Sequence, residues 1–301
     1  MDVAVTGSSG LIGSALVGAL RAAGHRPVRL VRRAGAGADE ITWDPAAGVL
    51  DAASLEGIGA VVHLAGAGIG DHRWTDAYKR EILESRTRST VLLAGRLAGL
   101  QRPPAVLLSG SAVGYYGESE TATFTESSPA GAGFLAEVCV AWEAAAAPAV
   151  EAGIRTAFLR TGIVLSPGGG ALKKTLPLFK LGAGGKMGSG RQWWSWISLD
   201  DEVGAIVHLL TAEVSGPVNL TAPNPVTNAE FTKVLGSVLG RPTFLPVPKF
   251  GPKILLGAEL ADALLFTGQK ALPTELTRSG FTFTHPTLDG ALRALLGKAA
   301  A

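Results

Sequence analysis

Short apolar runs alternate with amphipathic stretches through the first half of the chain. "VAVTG" has the length of a buried strand, and "LIGSALVGALRAAGH" after it carries apolar residues at helical spacing. "PVRLVRR" predicts a second strand and "GAVVHLAGAG" a third, buried one with a glycine-rich exit. "WTDAYKREILESRTRSTVLLAGRLAGL" predicts a helix of many turns with its charges on one side. "PAVLLSGSAVGYYG" and "GIRTAFLRTGIVLSP" each read as a strand running into a loop. Strands alternating with helices imply βαβ units and right-handed crossovers. The expected fold is α/β, with a Rossmann-like doubly wound parallel sheet over residues 1–167.

Beyond Pro167 the texture changes. "SPGGGALKKTLPLFKLGAGGKMGSGRQWWSWISLDDEV" is glycine-rich and too long for a structureless loop in a compact domain unless it is functional. "DDEVGAIVHLLTAE" predicts a helix and "GPVNLTAP" a buried strand. "NAEFTKVLGSVLG" predicts an amphipathic helix with Asn228 as its N-cap. Residues 168–301 are expected to form a smaller, mostly C-terminal lobe over the carboxyl edge of the sheet, with 190–222 returning to the main domain.

Composition narrows the function. With 47% hydrophobic and 17% charged residues among 301, the chain is globular. Lys and Arg total 27 against 25 Asp and Glu, too balanced for a nucleic-acid footprint, so no nucleic-acid partner is expected. The single cysteine, Cys139, excludes an internal disulfide and fits a reducing compartment. No signal segment or membrane-spanning run is visible, so a cytoplasmic protein without a membrane partner is expected. His25, His63, His72, His208 and His285 are scattered without metal-ligand spacing, so no metal site is expected. A G-x-S-x-G elbow and a P-loop are both absent.

The segment "TGSSGLIG" follows a strand and opens a helix, the context a phosphate-binding turn requires. Gly7 permits a tight turn, Gly10 lets the backbone approach a pyrophosphate, and Gly13 allows close helix–strand packing. Ser8, Ser9, Leu11 and Ile12 complete this cradle at a helix N-terminus. An NAD site usually carries an acid about twenty residues on, for the ribose 2′-hydroxyl. Here Arg32 and Arg33 end the second strand instead, which favours a 2′-phosphate and hence NADP(H).

"TGSSGLIG", "VVHLAGAG", "SGSAVGYYG" and "RQWWSWISLDDEV" together resemble an extended short-chain dehydrogenase/reductase. More narrowly they resemble the atypical "epimerase family" branch, NAD-dependent epimerase/dehydratase-like, which has its own C-terminal domain. "ITWDP", "KREILESR", "LRTGIVLSPGGGAL" and "NAEFTKVLG" extend the resemblance over essentially the whole chain. It implies that Leu64, Ala65 and Gly66 line the cofactor, with Ser109 on a neighbouring strand. It also implies that Glu81 and Arg86 reach the cofactor, although spacing alone reads them as surface charges. Val164 matches the loop at the nicotinamide end.

Family members that transfer hydride use a Tyr and a Lys four residues apart on one helix, facing the nicotinamide ribose. Tyr78, Tyr115 and Tyr116 are followed at that spacing by Ile82, Ser119 and Glu120, so the pair is absent from this chain. In the corresponding helix, "GFLAEVCVAWEAA", Leu135, Val138, Cys139 and Trp142 recur as an apolar stripe, and Cys139 reads as core. Ser111 matches the substrate-polarising serine of the family and Tyr116 its "YG" tyrosine; these are the expected catalytic residues. Their alternative is that Tyr115 and Tyr116 are wall residues. Arg191 and Trp193 in "RQWWSWI" are the candidate substrate contacts, able to hold a diphosphate or another planar anion, or else core at the junction of the lobes. The reading is an NADP(H)-binding oxidoreductase or epimerase-like protein for a small carbonyl or hydroxyl compound, a sugar nucleotide among the candidates. A monomer or homodimer is expected. The alternative is a non-catalytic, redox-responsive NADP(H)-binding protein.

Overall fold

The computed structural model describes residues 1–33 and 37–299, so the last two residues of the expected lobe lie outside it. The main sheet is built from β1 (Asp2–Thr6), β2 (Arg26–Val31), β3 (Glu40–Asp44), β4 (Val49–Leu50), β5 (Ala60–His63), β6 (Val106–Ala112), β8 (Arg155–Thr161) and β12 (Gly216–Leu220). Its order is β12-β8-β6-β5-β1-β2-β3-β4, parallel throughout except for the β3–β4 edge pair. Order reverses beside β1, which opens a crevice at the carboxyl ends of β1 and β5. β3 lies in "ITWDP", whose Ile41 and Trp43 face the core while Thr42 and Asp44 face solvent. Five residues of half-buried alternation give a weaker signal than the continuous apolar runs of β1 or β5.

The faces are covered as βαβ crossovers require. α1 (Leu11–Ala22) and α6 (Leu199–Leu209) cover one side, where Leu16, Leu20 and Ile206 meet Val5, Val62 and Leu159. α2 (Asp76–Ala98), α3 (Phe134–Ala144) and α4 (Ala147–Glu151) cover the other. There Leu93 and Leu97 pack on Val61 and Leu107. The short strand β7 (Thr123–Phe124) lies between β6 and α3 along the chain.

After β8 the chain makes β9 (Ile163–Leu165), α5 (Gly170–Lys180), β10 (Trp193–Trp194) and β11 (Trp196–Ser198) before α6 and β12. The glycine-rich segment is therefore not one long loop: α5 occupies its middle, its Leu172, Leu176 and Phe179 buried in the lobe core. Three glycines and an internal Pro177 mask this helix in the sequence. Beyond β12 come β13 (Val226–Thr227), α7 (Asn228–Leu239), α8 (Phe250–Leu256), α9 (Ala258–Ala261), β14 (Lys270–Ala271), α10 (Thr274–Arg278) and α11 (Leu288–Leu295). Thr227, not Asn228, caps α7, in a reciprocal capping box with Glu230. Asn228 is buried instead, and its side-chain oxygen accepts from the Met187 N–H at 2.7 Å.

Candidate functional site

At the end of β1 the chain turns through Gly7, whose φ of +65° suits glycine. A Cβ on Gly7 would lie 2.7 Å from the Leu64 carbonyl oxygen, and one on Gly13 only 2.2 Å from that of Gly7. The Gly10 N–H donates to the Gly7 carbonyl at 3.0 Å and closes the turn. No side chain caps α1, so its first-turn N–H groups face the crevice with the helix dipole behind them. Ser8 and Gly13 are buried, Leu11 and Ile12 half-buried, and Ser9 and Gly10 exposed. This backbone cradle fits a dinucleotide pyrophosphate.

Thr6 ties the neighbouring strand end to the turn. Its oxygen accepts from the Leu64 and Ala65 N–H groups at 3.0 and 3.1 Å, so its own hydrogen goes to Nδ1 of His63 at 2.7 Å. Nε2 of His63 then donates to Thr90 on α2 at 2.9 Å. Burial pushes His63 down to about 4, so the ring is a neutral strut between strand and helix. Ser109, on the adjacent strand β6, is fully buried with its hydroxyl unpartnered among the described residues.

The arginine pair at the end of β2 is split. Arg33 joins the Glu40 carboxylate at 2.6 Å, and Arg29 bonds the same carboxylate. The Gly37 N–H, followed by the charges of Arg33 and Arg29, holds the Glu40 carboxyl below its usual range. Arg32 is exposed and makes no ion pair among the described residues.

On α2, Glu81 points to solvent, whereas Arg86 folds back against the strand end. A Cβ on Gly66 would lie 3.2 Å from the Arg86 side chain, and its guanidinium sits 5.0 Å from the Trp142 ring centre. Nη1 of Arg86 donates to the Ile82 carbonyl, and burial lowers its pKa. Val164 is half-buried in β9, which runs parallel to β11.

Helix α3 is the one in which the resemblance places the family's Tyr–Lys pair. Ala136, Val138, Cys139 and Trp142 are buried and Leu135 is half-buried. Burial, then the nearby Glu143, pushes the Cys139 thiol up to about 11, so it stays protonated at neutral pH. Trp142 docks the helix: its Nε1–H donates to Thr90 at 3.1 Å, and a Cβ on Gly110 would strike its ring at 2.6 Å.

Behind α3 lies a polar network that sequence reasoning missed. Ser111 donates to Glu143 at 2.7 Å, and Arg160 grips Glu143 with both fork nitrogens at 2.8 and 2.9 Å. Arg160 also donates to the Tyr116 hydroxyl at 3.0 Å, which in turn donates to Asn219 at 2.7 Å. Tyr116 is 2% exposed and stacks on Phe124, and burial raises its phenol. The Tyr116 hydroxyl is thus enclosed, with Arg160 and Asn219 as its protein partners. Tyr115 is the more open phenol, half-buried, with its ring 3.4 Å from the Arg160 guanidinium carbon and its hydroxyl unpartnered among the described residues.

In "RQWWSWI", Arg191 pairs with Glu120 at 3.1 Å and Trp193 donates to the Glu120 carbonyl. Trp194 and Trp196 belong to the lobe core. Lys270, which the sequence reading did not single out, lies 4.6 Å over the Trp193 ring. Elsewhere Glu202 is fully buried; Thr161 donates to one of its oxygens at 2.9 Å, the other has no partner among the described residues, and burial pushes its carboxyl up to about 8.

The model of the NAD dependent epimerase/dehydratase family matches residues 3–221, and a domain of unknown function, DUF1731, matches residues 247–295. The chain is 48% identical over 291 residues to epimerase family protein Mb2239 of Mycobacterium bovis, covering 96% of each. A crystal structure of human epimerase family protein SDR39U1 (isoform 2) with NADPH is similar at a TM-score of 0.90 and 36% identity, over 99% of this chain and 100% of that one. A nucleoside-diphosphate sugar epimerase from Corynebacterium glutamicum is similar at a TM-score of 0.79 and 37% identity, over 99% of this chain and 58% of that one.

Proposed function

The chain belongs to the NAD dependent epimerase/dehydratase family, and on that premise we propose that it is an NADP(H)-dependent oxidoreductase or epimerase-like enzyme for a small carbonyl or hydroxyl compound. The observation that carries this reading is the glycine cradle of Gly7, Gly10 and Gly13, with Arg32, which makes no ion pair among the described residues, at the end of β2. The NADPH in the similar human structure supports the choice of cofactor. The N–H groups from Ser8 to Gly13 hold the pyrophosphate and Arg32 the 2′-phosphate. Leu64, Ala65, Gly66 and Ser109 line the strand ends, and Val164 closes the nicotinamide end. Arg86 supplies a cation near the position of the missing lysine, and Glu81 lies five residues before it. The bound nicotinamide supplies or accepts the hydride.

The remaining proton chemistry belongs to this chain's hydroxyls. Ser111 meets the substrate oxygen and exchanges its proton with Glu143, which Arg160 holds in place. Tyr115 offers the second hydroxyl, and Tyr116 acts as a positioning residue that fixes Arg160. Lys270 over Trp193, with Arg191 nearby, favours a substrate bearing an anionic group, as a sugar nucleotide does. The test is to titrate the protein with NADPH and NADH, then to screen carbonyl compounds and sugar nucleotides for cofactor oxidation or epimer formation. NADPH binding at least about tenfold tighter than NADH is expected. Tight binding with no turnover on a broad panel overturns the enzyme reading, and a preference for NADH overturns the role of Arg32. Tyr115→Phe is expected to reduce turnover more than Tyr116→Phe at equal folded fraction.

A further inference from the structure

The outer face of the C-terminal lobe combines exposed apolar side chains with a cluster of cations. At the end of α5, Leu178 and Leu181 project outward, Leu181 with 82% of its surface exposed. The segment after α7 adds Phe244, 79% exposed, and Leu245. The two segments touch, because a Cβ on Gly182 would lie 3.6 Å from the Pro242 ring and one on Gly185 would strike the Leu245 carbonyl. Further along, α8 buries no residue and turns Phe250, Ile254 and Leu255 to solvent. Isolated exposed leucines are ordinary, but this many large ones on adjoining segments mark an interaction surface.

The charge pattern points to the partner. Residues 152–199 contain no acid, and neither do residues 231–258. Lys180, Arg241 and Lys298 converge with Leu239 and Leu296 on a cavity of about 360 Å³. The cavity adjoins the apolar patch directly, since Lys180 precedes Leu181 and Arg241 precedes Phe244 by three residues. A two-fold pairing of this face with a second copy would set cations against cations. The apolar side chains project rather than line a groove, so they suit a soft apolar phase beneath an anionic layer.

We propose that this face docks the protein on an anionic lipid bilayer, with Leu181 and Phe244 entering the interface and Lys180, Arg241 and Lys298 meeting lipid phosphates. No helix among the described residues is long and apolar enough to cross a membrane, so the protein lies on the bilayer. This proposal departs from the expectation, read from the sequence, of no membrane partner. This proposal is independent of the cofactor reading.

Co-sedimentation of the full chain with vesicles tests it. Binding is expected to vesicles containing phosphatidylglycerol and not to pure phosphatidylcholine, and to fall with added salt. Leu181→Asp with Phe244→Asp, and separately Lys180→Glu with Arg241→Glu, are each expected to weaken it about tenfold or more. These positions are on the surface, and unchanged melting temperature and NADPH affinity confirm folded variants. Absence of vesicle binding at low salt overturns the proposal, as does binding that either double variant leaves unchanged. Self-association abolished by the apolar variant, without vesicle binding, overturns it in favour of an interface between copies.

Discussion

The turn from Gly7 to Gly13 and helix α3 both belong to the carboxyl edge of the sheet, yet they carry function differently. In the turn, function resides in the backbone: a Cβ at Gly13 would stand 2.2 Å from a carbonyl oxygen. In α3 it would reside in side chains, and this helix carries Leu135 and Cys139 with no Tyr–Lys pair while Trp142 keeps it docked. A site written in backbone geometry fails as a whole or persists. One written in side chains can be erased while the helix that would carry them stays packed.

That contrast can be broken experimentally. The largest effect is expected from Arg160→Ala, which strands Glu143 behind α3 and should cost about 3–5 kcal/mol in a denaturant titration. A loss below about 1 kcal/mol would show that the network is not what secures this region. Glu202 sharpens the point, being a buried acid with no cation partner among the described residues. Its folded-state value of about 8 lies above its ordinary 4.5, so between those values the folded chain holds a proton the unfolded chain has released. Its contribution to stability is thus full below the ordinary value and lost as pH rises through about 8. Glu202→Gln should flatten that slope by an amount on the order of a few kcal/mol, read from melts across pH.

Gly13→Ala comes next, with about 1–3 kcal/mol lost to overpacking and NADPH binding abolished in a fluorescence titration. Intact binding would mean that the turn has more room than its glycines indicate. The smallest effect belongs to Cys139→Val: about 1 kcal/mol or less in stability and no change in turnover. A large loss of turnover there would restore α3 as a chemical element.

Legibility in the sequence followed the range of the forces involved. β1, β5 and β6 were readable because buried parallel strands are continuous apolar runs, and the phosphate turn because its glycines are neighbours in the chain. α5 was hidden by its glycines and Pro177, and the α7 boundary moved by one residue because Thr227 and Asn228 are both good caps. Ser111 was found, but its partner was not: Glu143 is 32 residues away, and only the packing of α3 on β6 joins them. The enclosure of Tyr116 depends on Asn219, 103 residues further along, so no local pattern could separate it from Tyr115.

The place of β12 in the sheet has a consequence for synthesis. β12 pairs along β8 from Ala157 to Thr161, but the ribosome produces it only after α5, both tryptophan strands and α6. Until then the nascent sheet ends in β8 with a row of unsatisfied backbone donors and acceptors, an adhesive border for any other extended chain. A chain ending near residue 167 would keep that border permanently, so the nucleotide-binding half is expected to aggregate when produced alone. The two halves of the molecule share a seam that a single cut does not open.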